Sequence, residues 1–106
     1  MAEKEAYSKG SNTFYAGADY GSFNSKKFAQ TIQTNLIKAL GTVDRKIVYR
    51  PNLVVLKGTS MYAALAEIGF ITNDSDRANL LNTDFRQKAA AALAESLIQS
   101  LSMIKN

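Results

Sequence analysis

Apolar residues recur along this chain with two different periods, and the switches between them mark out its elements. Asn12-Thr13-Phe14-Tyr15-Ala16 is a short β-prone run closed by Gly17, which predicts a strand followed by a turn-rich stretch over 18–22. From Ser25 to Leu40 the apolar positions Phe28, Ala29, Ile32, Leu36, Ile37 and Leu40 fall three and four apart, with Lys26, Lys27, Gln30, Gln33 and Asn35 elsewhere. That spacing predicts an amphipathic helix, stopped by Gly41 where a left-handed residue is wanted. Ile47-Val48-Tyr49 and Leu53-Val54-Val55-Leu56 flank Pro51, the single proline, which predicts a loop and one or two short strands.

After Gly58-Thr59-Ser60, the run from Met61 to Ile71 is almost unbroken apolar sequence. It reads as a central strand covered on both faces; a buried helix is the competing reading, and Gly69 and the short length favour the strand. Thr72 to Asp76 offers N-caps for a short helix through Ala78, Leu80 and Leu81. Asn82 or Thr83 can cap a longer helix in which Phe85, Ala89, Leu93, Leu97 and Leu101 form an i, i+4 ridge. Strand, helix, strand, strand, helix, helix is α/β order. It predicts a parallel or mixed sheet of about three or four short strands, with three helices on its two faces.

The 106 residues fit a single domain, 1–106, with 1–10 as a polar lead-in. Composition narrows the chemistry more than the fold. The chain has no cysteine and no histidine, which removes disulfides, thiol catalysis and every Ser-His or Cys-His arrangement, and leaves zinc only carboxylates, a donor set it disfavours. Thirteen basic against nine acidic residues give a net charge of +4. Five of the basic residues fall between Lys38 and Lys57, beside one acid, Asp44. They read as a solvated surface or as a footprint for a polyanion such as a cell-wall polymer; no nucleic-acid motif accompanies them, so nucleic acid is not an expected partner. The N-terminus has no apolar signal region and no window approaches the ~20 apolar residues of a membrane span, so a soluble chain without signal peptide or membrane contact is expected.

Glu67 is the residue that breaks its pattern. It interrupts an otherwise apolar run, and an ionised carboxylate is almost never fully buried without a partner. Three readings are open: an edge-strand carboxylate pointing to water, an ion pair with a basic residue of 45–57, or a catalytic carboxylate near the carboxyl end of a strand, where open α/β sheets place their ligands. Ala63, Ala64, Ala66 and Gly69 leave room beside it for a substrate, or equally for a closely packed helix.

The stretch Met61-Tyr62-Ala63-Ala64-Leu65-Ala66-Glu67-Ile68-Gly69-Phe70-Ile71-Thr72-Asn73, with the Ala-rich amphipathic helix after it, resembles the closing segment of the zinc-dependent N-acetylmuramoyl-L-alanine amidases of bacterial autolysins and phage endolysins. The family pattern Pro-Ala-x-Leu-x-Glu-x-Gly-Phe-x-(Ser/Thr)-Asn agrees in spacing from Ala63 to Asn73, with Tyr62 in place of the proline. Lys9 to Tyr15, Lys26 to Leu40 and Leu53 to Lys57 resemble the strand, the helix and the segment that precede it, so the resemblance runs from about Gly10 to Ile104.

The resemblance implies an incomplete amidase catalytic domain, its C-terminal half. The implied reaction is hydrolysis of the amide between the lactyl group of N-acetylmuramic acid and L-alanine, with Glu67 as general acid/base beside zinc-activated water. Arg50 and Lys57, with Arg45, are candidates for holding peptidoglycan. The family's zinc ligands, two histidines and a glutamate, precede the position of residue 10; Glu3, Glu5 and Glu95 match none of them, so no metal ligand and no zinc are expected in this chain alone. It is expected to act at the cell wall, to self-associate or be complemented through an exposed sheet edge, and, as the alternative, to serve as a catalytically inactive peptidoglycan-binding or fragment-complementing module.

Overall fold

The β-prone run near the start of the chain becomes β1 (Ser11–Tyr15), and β2 (Asp19–Tyr20) and β3 (Phe23–Asn24) follow as a small antiparallel pair. The computed structural model describes residues 8–17, 19–20, 23–57 and 61–104. Most of the polar lead-in, the Gly58-Thr59-Ser60 break and residues 18, 21 and 22 of the expected turn lie outside them.

Helix α1 (Ser25–Leu40) spans the residues its periodicity predicts. The Asn24 side chain accepts from Lys27 N–H to cap its start, and Gly41, at φ 66° in the left-handed region, gives its N–H to Ile37 C=O at the end. Strand β4 (Asp44–Tyr49) then runs parallel to β1, and β5 (Ala64–Glu67) pairs with β1 antiparallel, giving a mixed sheet ordered β4-β1-β5. Helices α2 (Asp74–Leu81) and α3 (Thr83–Met103) close the chain, capped by Asn73 and Asn82. The mixed sheet and three helices are those expected from the element order.

Three details depart from the sequence reading. Leu53–Leu56 is no strand: Leu56 and Lys57 N–H both turn back onto Leu53 C=O, leaving Val54 and Val55 exposed and only Leu56 buried. The apolar run from Met61 to Ile71 pairs over four residues only, and β1, not β5, is the middle strand. Its ladder ends because side chains take the next backbone groups: Ser11 Oγ donates to Ile68 C=O at 2.6 Å, and Asp76 Oδ2 accepts from Phe70 N–H at 2.9 Å.

The third departure is the face that α3 presents. Ala89, Ala92, Ser96 and Ser100 are buried, while Leu97 and Leu101 of the expected ridge are 53% and 68% exposed. Small residues let two helices approach closely. Asn35 of α1 also donates to Ser96 Oγ and Gln99 Oε1, so the α1–α3 seam is built from alanine, serine and amide groups. Within it, Ile32, Leu36, Ala89 and Ala92 form the core cluster, against which Ala64, Ala66 and Ile68 pack. The alanines of β5 therefore make room for α1.

Candidate functional site

Because side chains alternate along a strand, the residues of β1 and β5 that do not face α1 share the opposite side of the sheet. Thr13 stands across from Ala66 and Tyr15 across from Ala64 on the α1 side, while Asn12 stands directly across from Glu67, and Phe14 across from Leu65, on the other. Glu67 is half-buried there and Leu65 is 39% exposed. Asn12 is only 4% exposed, and its Oδ1 has no hydrogen-bond partner.

Two guanidinium groups lie over aromatic rings of β1 and of the segment after β5. Arg45 lies 4.9 Å from the ring centre of Phe70, and Arg50 lies 5.2 Å from that of Phe14, both within cation–π range. Arg50 N–H also bonds Tyr15 C=O, extending the β1–β4 ladder by one step. The structure thus brings Arg50 to a ring on the face of Glu67 and Arg45 to the ring of Phe70, three residues beyond it; Lys57 is exposed in the turn after Leu53.

A polar network on the α1 side fixes the strand that carries Asn12. The β1–β4 register shifts between Ser11 and Thr13, a bulge beside Asn12, with Lys46 of β4 at φ 67°. Gln33 on α1 gathers the groups this leaves: its Nε2 donates to Ser11 C=O at 2.8 Å and to Asp44 Oδ1 at 2.9 Å, and its Oε1 accepts from Thr13 Oγ1 at 2.9 Å. Gln33, one of the polar positions set between the apolar ones of its helix, is only 1% exposed. The hydrogen bond from Gln33 holds the Asp44 carboxyl below its ordinary pKa, helped by Lys46 N–H.

Asp76 ties the two strands together beyond the pair. Its Oδ2 accepts from Gly10 N–H at 3.0 Å and from Phe70 N–H at 2.9 Å, so one buried carboxylate grips the start of β1 and the segment leaving β5. Gly10, at φ 107°, leaves no room for a side chain: an added Cβ would lie 2.4 Å from Val43 O. Asn12, Gln33 and Asp76 escaped the sequence reading. Gln33 alone left a signal, since it sits four residues after Ala29 and three before Leu36, inside the apolar arc.

The family described as N-acetylmuramoyl-L-alanine amidase matches this chain over residues 1–99. The chain belongs to that family. It is 37% identical over 89 residues to the N-acetylmuramoyl-L-alanine amidase LytC of Bacillus subtilis, a match covering 84% of this chain and 18% of LytC. The solved catalytic domain of CwlV, the amidase from Bacillus (Paenibacillus) polymyxa var. colistinus, superposes with a TM-score of 0.78 at 31% identity, over 92% of this chain and 51% of CwlV's. The Clostridium difficile 630 amidase gives 0.80 at 27% identity, over 90% and 50%. The chain spans less than half the length of the curated relatives it matches and about half of these solved structures.

Zinc is implied by membership of this amidase family, and the residues of this chain do not fit it. Among the described residues no three His, Cys, Asp or Glu side chains come together, and the sequence has neither histidine nor cysteine to supply the nitrogen or sulfur donors that zinc prefers. What this amidase-family chain does present is one carboxylate, Glu67, on an apolar strand at the sheet face not covered by α1.

Proposed function

We propose that this chain forms the second half of a peptidoglycan amidase catalytic domain and contributes Glu67 as its general acid/base. The bond cleaved is the amide joining the lactyl group of N-acetylmuramic acid to L-alanine, at the cell wall. Glu67 takes a proton from the attacking water and returns it to the leaving amine, the proton handling for which a positioned carboxylate is suited. The metal ligands come from polypeptide that this chain does not contain, so the chain alone does not turn over substrate. Arg50 and Arg45, poised over Phe14 and Phe70, hold the carboxylate-bearing stem peptide.

The position of Glu67 carries this reading. It lies within the Ala63 to Asn73 stretch that follows the amidase pattern, on an edge strand and on the sheet face opposite the helical core. The test joins residues 10–106 to the first half of the LytC catalytic domain and measures release of L-alanine amino termini from purified peptidoglycan. Glu67→Gln is expected to slow release by about 10²–10⁴-fold. Unchanged turnover in this variant would remove Glu67 from the chemistry.

A second reading is a metal-free wall-binding module, compatible with a sequence that has no histidine or cysteine and shows no cluster of three metal-ligating side chains among the described residues. Co-sedimentation of the 106-residue chain with purified cell walls separates the two. Salt-sensitive pelleting that Glu67→Gln leaves intact, together with an inactive chimaera, supports the binding module; no pelleting at low salt removes it.

A further inference from the structure

We infer that Asn12 is the positioning residue of Glu67, its Oδ1 accepting the proton of the Glu67 carboxyl whenever that carboxyl is in its acid form. The inference rests on the proposed role of Glu67 and extends it to the group that keeps the carboxyl in place. Three observations meet at this pair. Asn12 and Glu67 are directly opposed residues of an antiparallel ladder, which puts their side chains on one face with Cβ atoms roughly 4.5–5.5 Å apart. Asn12 is 96% buried, and its Oδ1 is one of two buried side-chain polar atoms among the described residues that lack a hydrogen-bond partner. The strand that carries it is anchored on both sides of the position, by Asp76 at Gly10 and by Gln33 at Ser11 and Thr13.

A carbonyl oxygen accepts and cannot donate, so whatever satisfies Oδ1 must bring a proton. A carboxylate brings none, whereas a carboxylic acid does. The site is therefore built for the moment when Glu67 holds the proton between water and the leaving amine: Oδ1 then receives a hydrogen bond and restrains the carboxyl from rotating away. Among the described residues, Asp44, Arg45 and Lys46 on β4, Arg50 just beyond it, and Asp74, Asp76 and Arg77 on α2 are the charged groups on the elements around this pair. Arg45 and Arg50 are stacked on rings and Asp76 is bonded to two backbone N–H groups, so their placement is set independently of Asn12.

The experiment needs no turnover and no metal. The 106-residue chain is labelled with ¹³C at the glutamate carboxyls, Glu67 is assigned by its loss in Glu67→Gln, and its titration midpoint is followed by NMR in wild type, Asn12→Ala and Asn12→Asp. Asn12→Ala removes the acceptor for the acid form and is expected to lower the midpoint by roughly half a unit. Asn12→Asp, which is nearly isosteric, places a second carboxylate on the same face and is expected to raise it by about one unit, with coupled titration. Midpoints that stay at the wild-type value in both variants overturn the contact, and a rise in Asn12→Ala overturns the assignment of Asn12 as acceptor. The chimaera assay of Glu67→Gln reports on the catalytic role by itself, so loss of one conclusion is distinguishable from loss of the other.

Discussion

On the α1 side of the sheet, Gln33 satisfies a backbone carbonyl, a threonine hydroxyl and a carboxylate with one side chain, and Ser11 bonds both Thr42 and Ile68. On the other side Asn12, equally buried and one residue away, leaves an oxygen without a partner beside a half-buried glutamate. The same strand thus supports two economies of polar groups. Buried polar atoms cost stability unless they are bonded, so a closed network is what folding requires, and an open one at a carboxylate is where a substrate or a transferred proton completes the set.

The contrast can be broken by substitution, and the largest stability effect falls on the closed side. Gln33→Ala strands three groups at once and is expected to cost about 3 kcal/mol in urea denaturation. Asn12→Ala, on the open side, is expected to cost less than half of that, since it deletes an unsatisfied atom; equal losses would abolish the asymmetry. Asp76→Ala frees Gly10 and Phe70 N–H together and is expected to cost about 2 kcal/mol. The smallest effect sharpens the comparison through pH. Folding lowers the Asp44 pKa below its ordinary 3.8, so its ionised form contributes stability above that value, and the contribution is lost as pH falls through the lower folded value. Asp44→Asn is therefore expected to lower stability slightly at neutral pH and to flatten the acid side of the stability–pH curve, so that the difference from wild type shrinks as pH falls, as a series of denaturation curves between about pH 2 and 7 will record.

Helix α1 is legible because its apolar period and its terminal glycine agree with one another. Glu67 stands out in the sequence because it interrupts an apolar run, and the Ala63 to Asn73 stretch that holds it carries the family pattern. Gln33 does not stand out, because a polar side chain inside an apolar arc looks like the edge of the wet face until the bulge at Ser11 and Thr13 supplies groups for it to bind. The α3 ridge misled for a related reason. Periodicity ranks positions by hydrophobicity, and the seam with α1 selects them by size, so Ala92, Ser96 and Ser100 go inside while Leu97 and Leu101 remain outside. Asn12 depends on its pairing with Glu67, 55 residues further along the chain, which local pattern does not contain.

The Asp76 clip also sets an order of events. Its carboxylate reaches back 66 residues to Gly10, so closing it carries the loop-closure cost of a long-range contact, which favours its closing late. Contacts of this kind form late on the folding path and are the first to be released. Asp76→Ala is accordingly expected to accelerate unfolding and leave the folding rate nearly unchanged in stopped-flow denaturant jumps. In kinetic terms, Asp76 acts as a latch on the lifetime of the folded site, holding Asn12 and Glu67 opposite one another for as long as it stays closed.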